Sequence, residues 1–568
     1  MSERAFTPVE RAFLSRFFTG TGTLSNIYAA KAHLYPQTWA FLAGAYSRST
    51  KTMREKLLDT VWELVLQDVP TPEGAEPEDS EVRPLYEAAL SSVASASGAA
   101  SGAAMDGLLT RAEKFLEKWA VEYGHSSLKD SCFDRFAVED VSIRSTKYLE
   151  RFTLGAYQEK STRYVDFSTV VPLLHVFAGA EIDGAPAGDY MGVLNTKAMA
   201  LYADIRDRAV AHYMEQHTTL PPAVAKRTAN ASAFDVARYV LPVFLPTSLG
   251  ITMPSRETER MLQYLLGHKH EELRFIGLGL HQSAMTTNSA LVKHVKAKPA
   301  RDFSTDSSRF VSLFEHCVSA ALRGHVTYGD GNVRLHTAET TSAAHPRWQS
   351  AAALASARDC VFFDNFTLAG SIQVHVHDHG GSVVQDLWSD AFEGVGPHDD
   401  FPEELESVPL YFEGIIDFGA YRDLQRHRKG YQPDVDMSVN LGYSTPDLLT
   451  EPGFEDLLER YQDLMLEFVD AKGSISGEQA DYANCLGHNV HFKYNCSLRQ
   501  ALYMIRLRTA PAGHESYRSF MQSLAKALIS AIPELSSVIS VDWSMKTDRA
   551  ASELRTQRKL ASLNQSKD

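Results

Sequence analysis

With 568 residues, 44% of them hydrophobic and 22% charged, the chain has the composition of a soluble globular protein of two to four domains. A formal net charge of −15 argues against the broad basic surface that binds nucleic acid or anionic membrane, while local basic pockets stay open to it. No apolar run approaches the roughly twenty residues of a membrane span, and the start MSERAFTPVERAF lacks a signal peptide's apolar stretch.

In chain order, Tyr28, Trp39, Phe41, Leu42, Leu57, Leu58 and Trp62 recur at helical intervals across residues 24–66, with a break at Pro36. Arg48, Lys51 and Arg54 follow one another three apart, on one helix face or turn. Pro70–Asp79 is acidic and proline-bearing, and Ser91–Ala104 is small and of low complexity; together they predict a flexible excursion over about 70–105. Gly107–Glu122 predicts an amphipathic helix, and Tyr123–Ser127 a turn. Val138–Phe152 again has a helical period, and Gly155–Phe167 alternates like a strand or extended loop. Met191–Gln216 predicts a long helix, with Asp235–Pro246 and Glu257–Gly277 as two further elements. The polar, basic run Asn288–Asp306 is the expected boundary between halves. Helices are expected within 307–400 and at Phe454–Val469, Leu498–Arg508 and Leu524–Ile532, before a charged, loose tail. These readings give a helix-rich α+β chain with domains at 1–295 and 296–546 and a tail at 547–568. There is no strict repeat, yet both halves run from an apolar helix with an Arg-bearing end to a later helix with spaced arginines, the pattern of a diverged duplication.

Four stretches carry possible chemistry. Asp417–Gly430, DFGAYRDLQRHRKG, follows the apolar Phe412, Ile415 and Ile416 and reads as a helix ending in Arg426, His427, Arg428 and Lys429. Cations there offset the macrodipole, or their mutual repulsion is relieved by a bound anion. Glu159–Tyr164, EKSTRY, has the parts of a phosphomonoester site: a planar arginine fork, hydroxyls and a turn. It also reads as an ordinary polar loop. Arg238 precedes Tyr-Val-Leu-Pro at the edge of an apolar element, as a buried ligand group or a surface cap. His375, His377 and His379 would share one side of a strand, but no carboxylate-rich partner motif accompanies them, so no metal site is expected. The cysteines Cys132, Cys317, Cys360, Cys485 and Cys496 form no CxxC pair, which fits a reducing cytoplasm. Walker, GxGxxG and GxSxG motifs are absent.

Taken together, GHSSLKDS, EDVSIRSTKYLERFTLGAYQEKSTRY, ARYVLP, GAYRDLQRHRKG and LRTAPAGHESYR, in this order, resemble segments of the flavin-dependent thymidylate synthases, in a long form carrying the domain twice. In that family an Arg-His-Arg run holds FAD and a following Ser/Glu/Ser/Arg pattern holds dUMP. Here the two are divided. The first half keeps Glu159, Ser161 and Arg163, with Thr162 between them, and Arg238 matches the arginine that reaches dUMP from another subunit. Its Arg-His-Arg position has become Arg151-Phe152-Thr153, and its first serine is Ala156. The second half keeps Arg426-His427-Arg428 but continues as Lys429–Asp434. Arg256 and Arg499 match the family's flavin-side arginine and Arg508 its later substrate arginine. The glutamine upstream of Arg-His-Arg is Tyr148 in one half and Asp423 in the other.

The resemblance implies methylation of dUMP to dTMP with FAD, NADPH and methylenetetrahydrofolate. Arg163, Glu159 and Arg238 would be the catalytic groups, and Ser161, Thr162 and Arg508 further substrate ligands. Arg426, His427, Arg428, Arg256 and Arg499 would hold the cofactor. It also implies a site built from both halves and a homodimer of two-domain chains. Two other readings remain open: a related flavin–folate enzyme acting on another pyrimidine nucleotide, and a nucleotide- or flavin-binding relative without turnover.

Overall fold

The structure is a computed structural model. It describes the chain outside residues 1–5, 20–27, 32–33, 48, 50, 68, 70–77, 96–102, 123–125, 219, 299–324, 331, 360–364, 380–381, 436, 439–440, 545–546, 548, 551–553 and 555–568. Helices α1 (Pro8–Phe17), α2 (Pro36–Tyr46), α3 (Met53–Gln67), α4 (Asp79–Ser95) and α5 (Ala103–Leu116) come first. Strand β1 (Phe133–Ser142) runs straight into α6 (Ile143–Leu149), and β2 (Ala156–Glu159) follows. Next come α7 (Ala187–Gln216), α8 (Pro222–Ala237), β3 (Pro246–Pro254), α9 (Ser255–Leu266) and α10 (Glu271–Thr287). After them come β4 (His325–Tyr328), β5 (Val333–Ala338), α11 (Pro346–Asp359), α12 (Asn365–His379) and α13 (Ser382–Ala391). Strand β6 (Pro409–Asp417) runs into α14 (Phe418–Leu424), with β7 (Gly430–Tyr431) and α15 (Glu455–Ser474) beyond it. Strand β8 (Asn489–Ser497) runs into α16 (Leu498–Arg508), and α17 (Glu515–Ala531) closes the set. The fold is helix-rich α+β, as expected.

The chain divides into two compact units, one of residues 1–138, 154–158 and 250–300, the other of 139–153, 159–249 and 301–568. The second unit therefore draws on both sides of the boundary expected near 295.

The first unit is built on the stripe formed by Phe13, Leu14 and Phe17 of α1, Leu42 of α2, Leu57 and Leu58 of α3 and Leu90 of α4. Thr7 and Glu10 form a reciprocal capping box at the start of α1, and Pro36 opens α2. Much of the excursion expected near 70–105 is helical: Val82, Tyr86, Leu90 and Val93 give α4 a buried face that its small residues obscure in the sequence. Residues 70–77 and 96–102 of it, like Arg48 and Tyr123–His125, lie outside the described residues. The single element expected over Glu257–Gly277 is two helices, the first ending at Gly267.

In the second unit a five-stranded sheet has the order β4-β5-β6-β8-β7. Strands β6 and β8 pair antiparallel from Pro409–Ser497 to Asp417–Asn489. Alternate burial of Leu410, Phe412 and Ile416 faces them to the core, where Phe492 of β8 and Phe520, Met521, Leu524 and Leu528 of α17 meet them. Two expectations change here. Phe412, Ile415 and Ile416 belong to a strand, and Val138–Phe152 is the end of a strand followed by a short helix. In both places a half-buried strand runs without a loop into a helix, so period 2 merges into period 3.6. The histidine segment is also changed: His375 and His377 lie on helix α12, exposed, where a helical turn spreads them apart.

The two strand-to-helix corners of this unit are built alike. Ser142 Oγ accepts the N–H of Ser145 (3.0 Å), and Asp417 Oδ1 accepts that of Ala420 (2.8 Å). The N–H groups of Ile143 and Arg144 donate to the carbonyls of Leu245 and Val243, and those of Phe418 and Gly419 donate to His488 and Leu486. The two accepting segments pair with each other about the Pro242–Cys485 bridge: Val243 N–H donates to Asn484 and Leu486 N–H to Leu241, both at 2.9 Å. Residues 142–144 thus stand where 417–419 stand, and 241–245 where 484–488 stand.

Candidate functional site

The cationic run 426–429 lies just beyond the end of α14, whose last residue is Leu424. It lines a cavity of about 530 Å³ together with one face of α16. Six cations border this cavity: Arg426, Arg428, Lys429, Arg499, Arg506 and Arg508. Among the described residues, Asp400 and Glu406 are the only carboxylates on its lining, where Arg499 reaches them at 3.6 and 3.3 Å. Arg426 is exposed and makes no ion pair among the described residues. Clustered like charge over a cavity is costly unless an anion completes it.

His427 is buried beneath this set. Burial and the neighbouring Arg508 hold its pKa down at about 3, so it is neutral near pH 7. Its Nε2 accepts from Arg508 Nε at 2.8 Å, and Arg508 Nη2 donates to the Asp423 carbonyl at 2.7 Å. The Tyr494 hydroxyl donates to the His427 carbonyl at 3.0 Å. Histidine therefore acts as an acceptor that aims an arginine. Tyr503, half a helical face away on α16, sets its ring edge-on to His427 at 5.9 Å.

From the first half, β2 brings Glu159 into a buried ion cluster. Its carboxylate accepts from Lys147 (2.9 Å) and Thr146 (2.8 Å) and pairs with Arg422 of α14 (2.8 Å). Burial would raise its pKa, but Arg422 and Lys147 outweigh burial and hold it at about 2. Thr162 Oγ1 accepts from Arg422 at 3.2 Å, and Ser161 Oγ accepts the Arg163 N–H. Arg163 forms a bidentate pair with Asp235 at 2.7 and 2.9 Å, and its Nη1 donates to the Tyr517 hydroxyl at 3.1 Å. Arg549 also bonds Asp235. Burial works against ionisation of Asp235, yet the two arginines hold it well below the usual carboxylate range. A second cavity of about 640 Å³ opens here, lined by Tyr164, Lys226, Arg227, Phe234 and Arg549 among others.

The two motif sets meet at Tyr517 and Asp423. Arg163 and Arg508 stand over the Tyr517 ring at 5.8 and 5.4 Å from its centroid. Buried Arg238 lies 3.4 Å from the Asp423 carboxylate, while its Nε and Nη2 find no hydrogen-bond partner among the described residues. Asp423 is buried, which opposes its charge, but Arg238, Arg163, Arg508 and Arg426 together keep it ionised far below the ordinary range. Four arginines from both halves thus act on one carboxylate.

The structure therefore gathers Glu159, Ser161, Thr162, Arg163, Arg238, Arg426, His427, Arg428, Arg499 and Arg508 into the second unit. Arg256 belongs to the first unit, where it pairs with Asp130 at 2.8 Å and donates to the Ser126 carbonyl. Sequence reasoning missed Asp235, Tyr517 and Arg549. Asp235 gave no local signal, because its partners lie far away in sequence. No group of three or more metal-ligating side chains occurs among the described residues.

Residues 80–276 match the family described as thymidylate synthase complementing protein. The resemblance read from the sequence is thus shown for that segment, which holds the substrate-type motif but ends before the Arg-His-Arg run. Among whole-length relatives, the chain is 25% identical over 439 residues to a UPF0159 protein of Chlamydia pneumoniae, covering 74% of this chain and 79% of the relative. It is 22% identical over 468 residues to a UPF0159 protein of Thermoplasma acidophilum, covering 76% and 89%. It is also similar to a solved flavin-dependent thymidylate synthase from Helicobacter pylori complexed with FAD and dUMP, at 14% identity. That match covers 34% of this chain and 86% of the other with a TM-score of 0.23, too low to define a shared fold.

Proposed function

We propose that the protein is a flavin-dependent thymidylate synthase, methylating dUMP with methylenetetrahydrofolate and NADPH, whose site is completed within one compact unit by motifs from both halves. The observation that carries this reading is geometric: Arg163 and Arg508 meet over the Tyr517 ring and Arg238 reaches the Asp423 carboxylate, beside the six-cation cavity. Family likeness over residues 80–276 supports it.

The residues fit FAD. A diphosphate needs clustered guanidinium forks, which Arg426, Arg428, Arg499, Arg506 and Arg508 supply. A planar ring needs an apolar or aromatic wall, which Tyr503 and Leu507 supply at the same cavity. When bound, the flavin supplies hydride transfer between the nicotinamide and the one-carbon unit passed from folate to the pyrimidine. The chain's part is binding and electrostatics. His427 stays neutral and aims Arg508; the unsatisfied donors of Arg238 favour an oxyanion developing next to them. Arg163 takes the nucleotide phosphate in exchange for Asp235. Glu159, ionised and fully engaged, holds Lys147, Arg422 and Thr162 in place and does not exchange protons near neutral pH.

Asp423 favours a second reading. A buried carboxylate where the family has a neutral amide suits a base that offers an amino group, as in a related enzyme acting on another pyrimidine nucleotide. The test is anaerobic reduction of the FAD-loaded protein by NADPH with dUMP or dCMP present, followed by a tritium-release assay. Faster reduction and turnover with dUMP support the synthase. A response to dCMP alone supports the second reading, and flavin binding without either response rules out both.

A further inference from the structure

Asp235 is shared between two arginines, and one of them faces a cavity that the synthase reading leaves unassigned. Its Oδ2 accepts from Arg163 Nη2 at 2.9 Å and also from Arg549 Nη2. Arg549 lines the cavity of about 640 Å³, which belongs wholly to the second unit and has the size of a small-molecule site. One face of α8 forms a wall of it. Ala223, Arg227, Asn230 and Phe234 recur three and four residues apart along about 16 Å of that helix, with Lys226 beside them. The helix's positive end lies at Ala223, where no side chain of the described residues caps it.

Lys226, Arg227 and Arg549 thus put three cations on a lining that, among the described residues, carries no carboxylate. That stands out in a chain of net charge −15. Tyr164 and Phe234 add aromatic surface. Tyr164 is 69% exposed, and the Arg549 guanidinium stands over its ring at 5.9 Å from the centroid. Clustered cations suit a polyanion and the rings suit a planar group; a nucleoside polyphosphate carries both.

The shared carboxylate ties this cavity to the substrate side. When Arg163 turns to a nucleotide phosphate, Asp235 keeps Arg549 and is not left buried without a partner. An anion in the cavity that draws Arg549 to itself leaves Asp235 to Arg163 alone, and Arg163 is held back from the phosphate. Repulsion between the two anions acts in the same direction. The coupling is reciprocal, each ligand weakening the other by the same factor.

We propose that this cavity is a regulatory site for a nucleoside polyphosphate, and that its occupation antagonises nucleotide binding at Arg163 through Asp235. The coupling rests on the assignment of Arg163 to the nucleotide phosphate in the synthase reading; the site itself does not.

Calorimetric titration of the full chain with dTTP, and separately with inorganic tripolyphosphate, tests the site. Titration with dUMP at rising dTTP tests the coupling. Binding of dTTP is expected, with tripolyphosphate weaker, and the combined Lys226→Ala and Arg227→Ala variant, altered at two exposed helix positions, should weaken dTTP roughly tenfold or more. Affinity for dUMP should fall roughly fivefold or more and level off as dTTP saturates. Asp235→Asn should remove most of that fall. Binding of dTTP without any binding of dUMP or dCMP would uphold the site and overturn the synthase reading, with the coupling that rests on it. No binding of dTTP, or binding unchanged in the Lys226/Arg227 variant, would overturn the proposal. So would a dUMP affinity indifferent to bound dTTP, or one that keeps falling without limit, as for two ligands of one site.

Discussion

Arg508 joins the two parts of the site. It donates to His427 Nε2 and to the Asp423 carbonyl, stands over Tyr517, and borders the cation cavity. A charge-assisted hydrogen bond is worth about 1.5–3 kcal/mol, so Arg508→Ala should weaken FAD roughly 10- to 100-fold, read by fluorescence titration with circular dichroism as the check on folding. Arg256→Ala removes a partly exposed pair with Asp130 within the first unit and is expected to leave FAD affinity within about threefold, a larger loss meaning that Arg256 also serves the ligand. Asp423→Asn carries a prediction of two signs. Removing one partner of a buried charge cluster costs about 3–5 kcal/mol of stability, while the site gains a unit of positive charge. Urea unfolding should shift to lower denaturant as pyrophosphate binding tightens; a variant with both properties weakened would mean Asp423 holds the pocket's shape more than its charge.

Among the elements, the short helix α14 matters most, because it delivers Arg422, Asp423 and the run that follows. Seven residues are too few to be stable alone, so the helix depends on its cap and on packing. Asp417 accepts from Ala420 and also from the Ser516 hydroxyl of α17. Asp417→Ala should cost about 2 kcal/mol or more, whereas Asp417→Asn keeps an acceptor and should cost less. The same comparison at Ser497, which caps α16 on the Gln500 N–H, should give about 1 kcal/mol. Denaturant melts of the variants read both. These elements also show why the sequence was only partly legible. Leu498–Arg508 appeared with its bounds, since an amphipathic helix after a serine cap carries its own period. Asp417–Gly430 did not, since the buried strand before it is apolar on every second residue, which over a short stretch passes for a helix face.

For the whole molecule, the second unit takes residues 139–153 and 159–249 from the first half of the chain and pairs 241–245 with 484–488. Residues 1–295 expressed alone would leave Val240, Leu241, Val243, Phe244 and Leu245, all buried in the full chain, without Leu486 and Val490. That fragment should aggregate or lack cooperative unfolding, and a soluble, cooperatively melting fragment would contradict the interleaved core. Acid should weaken the full chain through His488. Burial holds this residue neutral down to about pH 4, with Nδ1 accepting from Cys485 and Nε2–H donating to the Met465 carbonyl. Once unfolded it takes a proton below about 6.5. Its contribution is therefore intact above pH 6.5 and lost as pH falls toward 4, on the order of 3 kcal/mol. The slope of unfolding free energy over that range should flatten in His488→Gln.

The sequence by itself determined the residue types that carry chemistry, the helix-rich class and the amphipathic helices, because each of those is written in local composition and period. It also held both halves of the divided motif as a resemblance. Only the tertiary structure decided that these halves meet in one unit, that Asp423 and Asp235 are the carboxylates between the arginines, and that Glu159 is locked in a buried cluster. Those facts depend on charges from 72 to 314 residues apart in sequence coming within a few ångströms, and no local pattern records that distance.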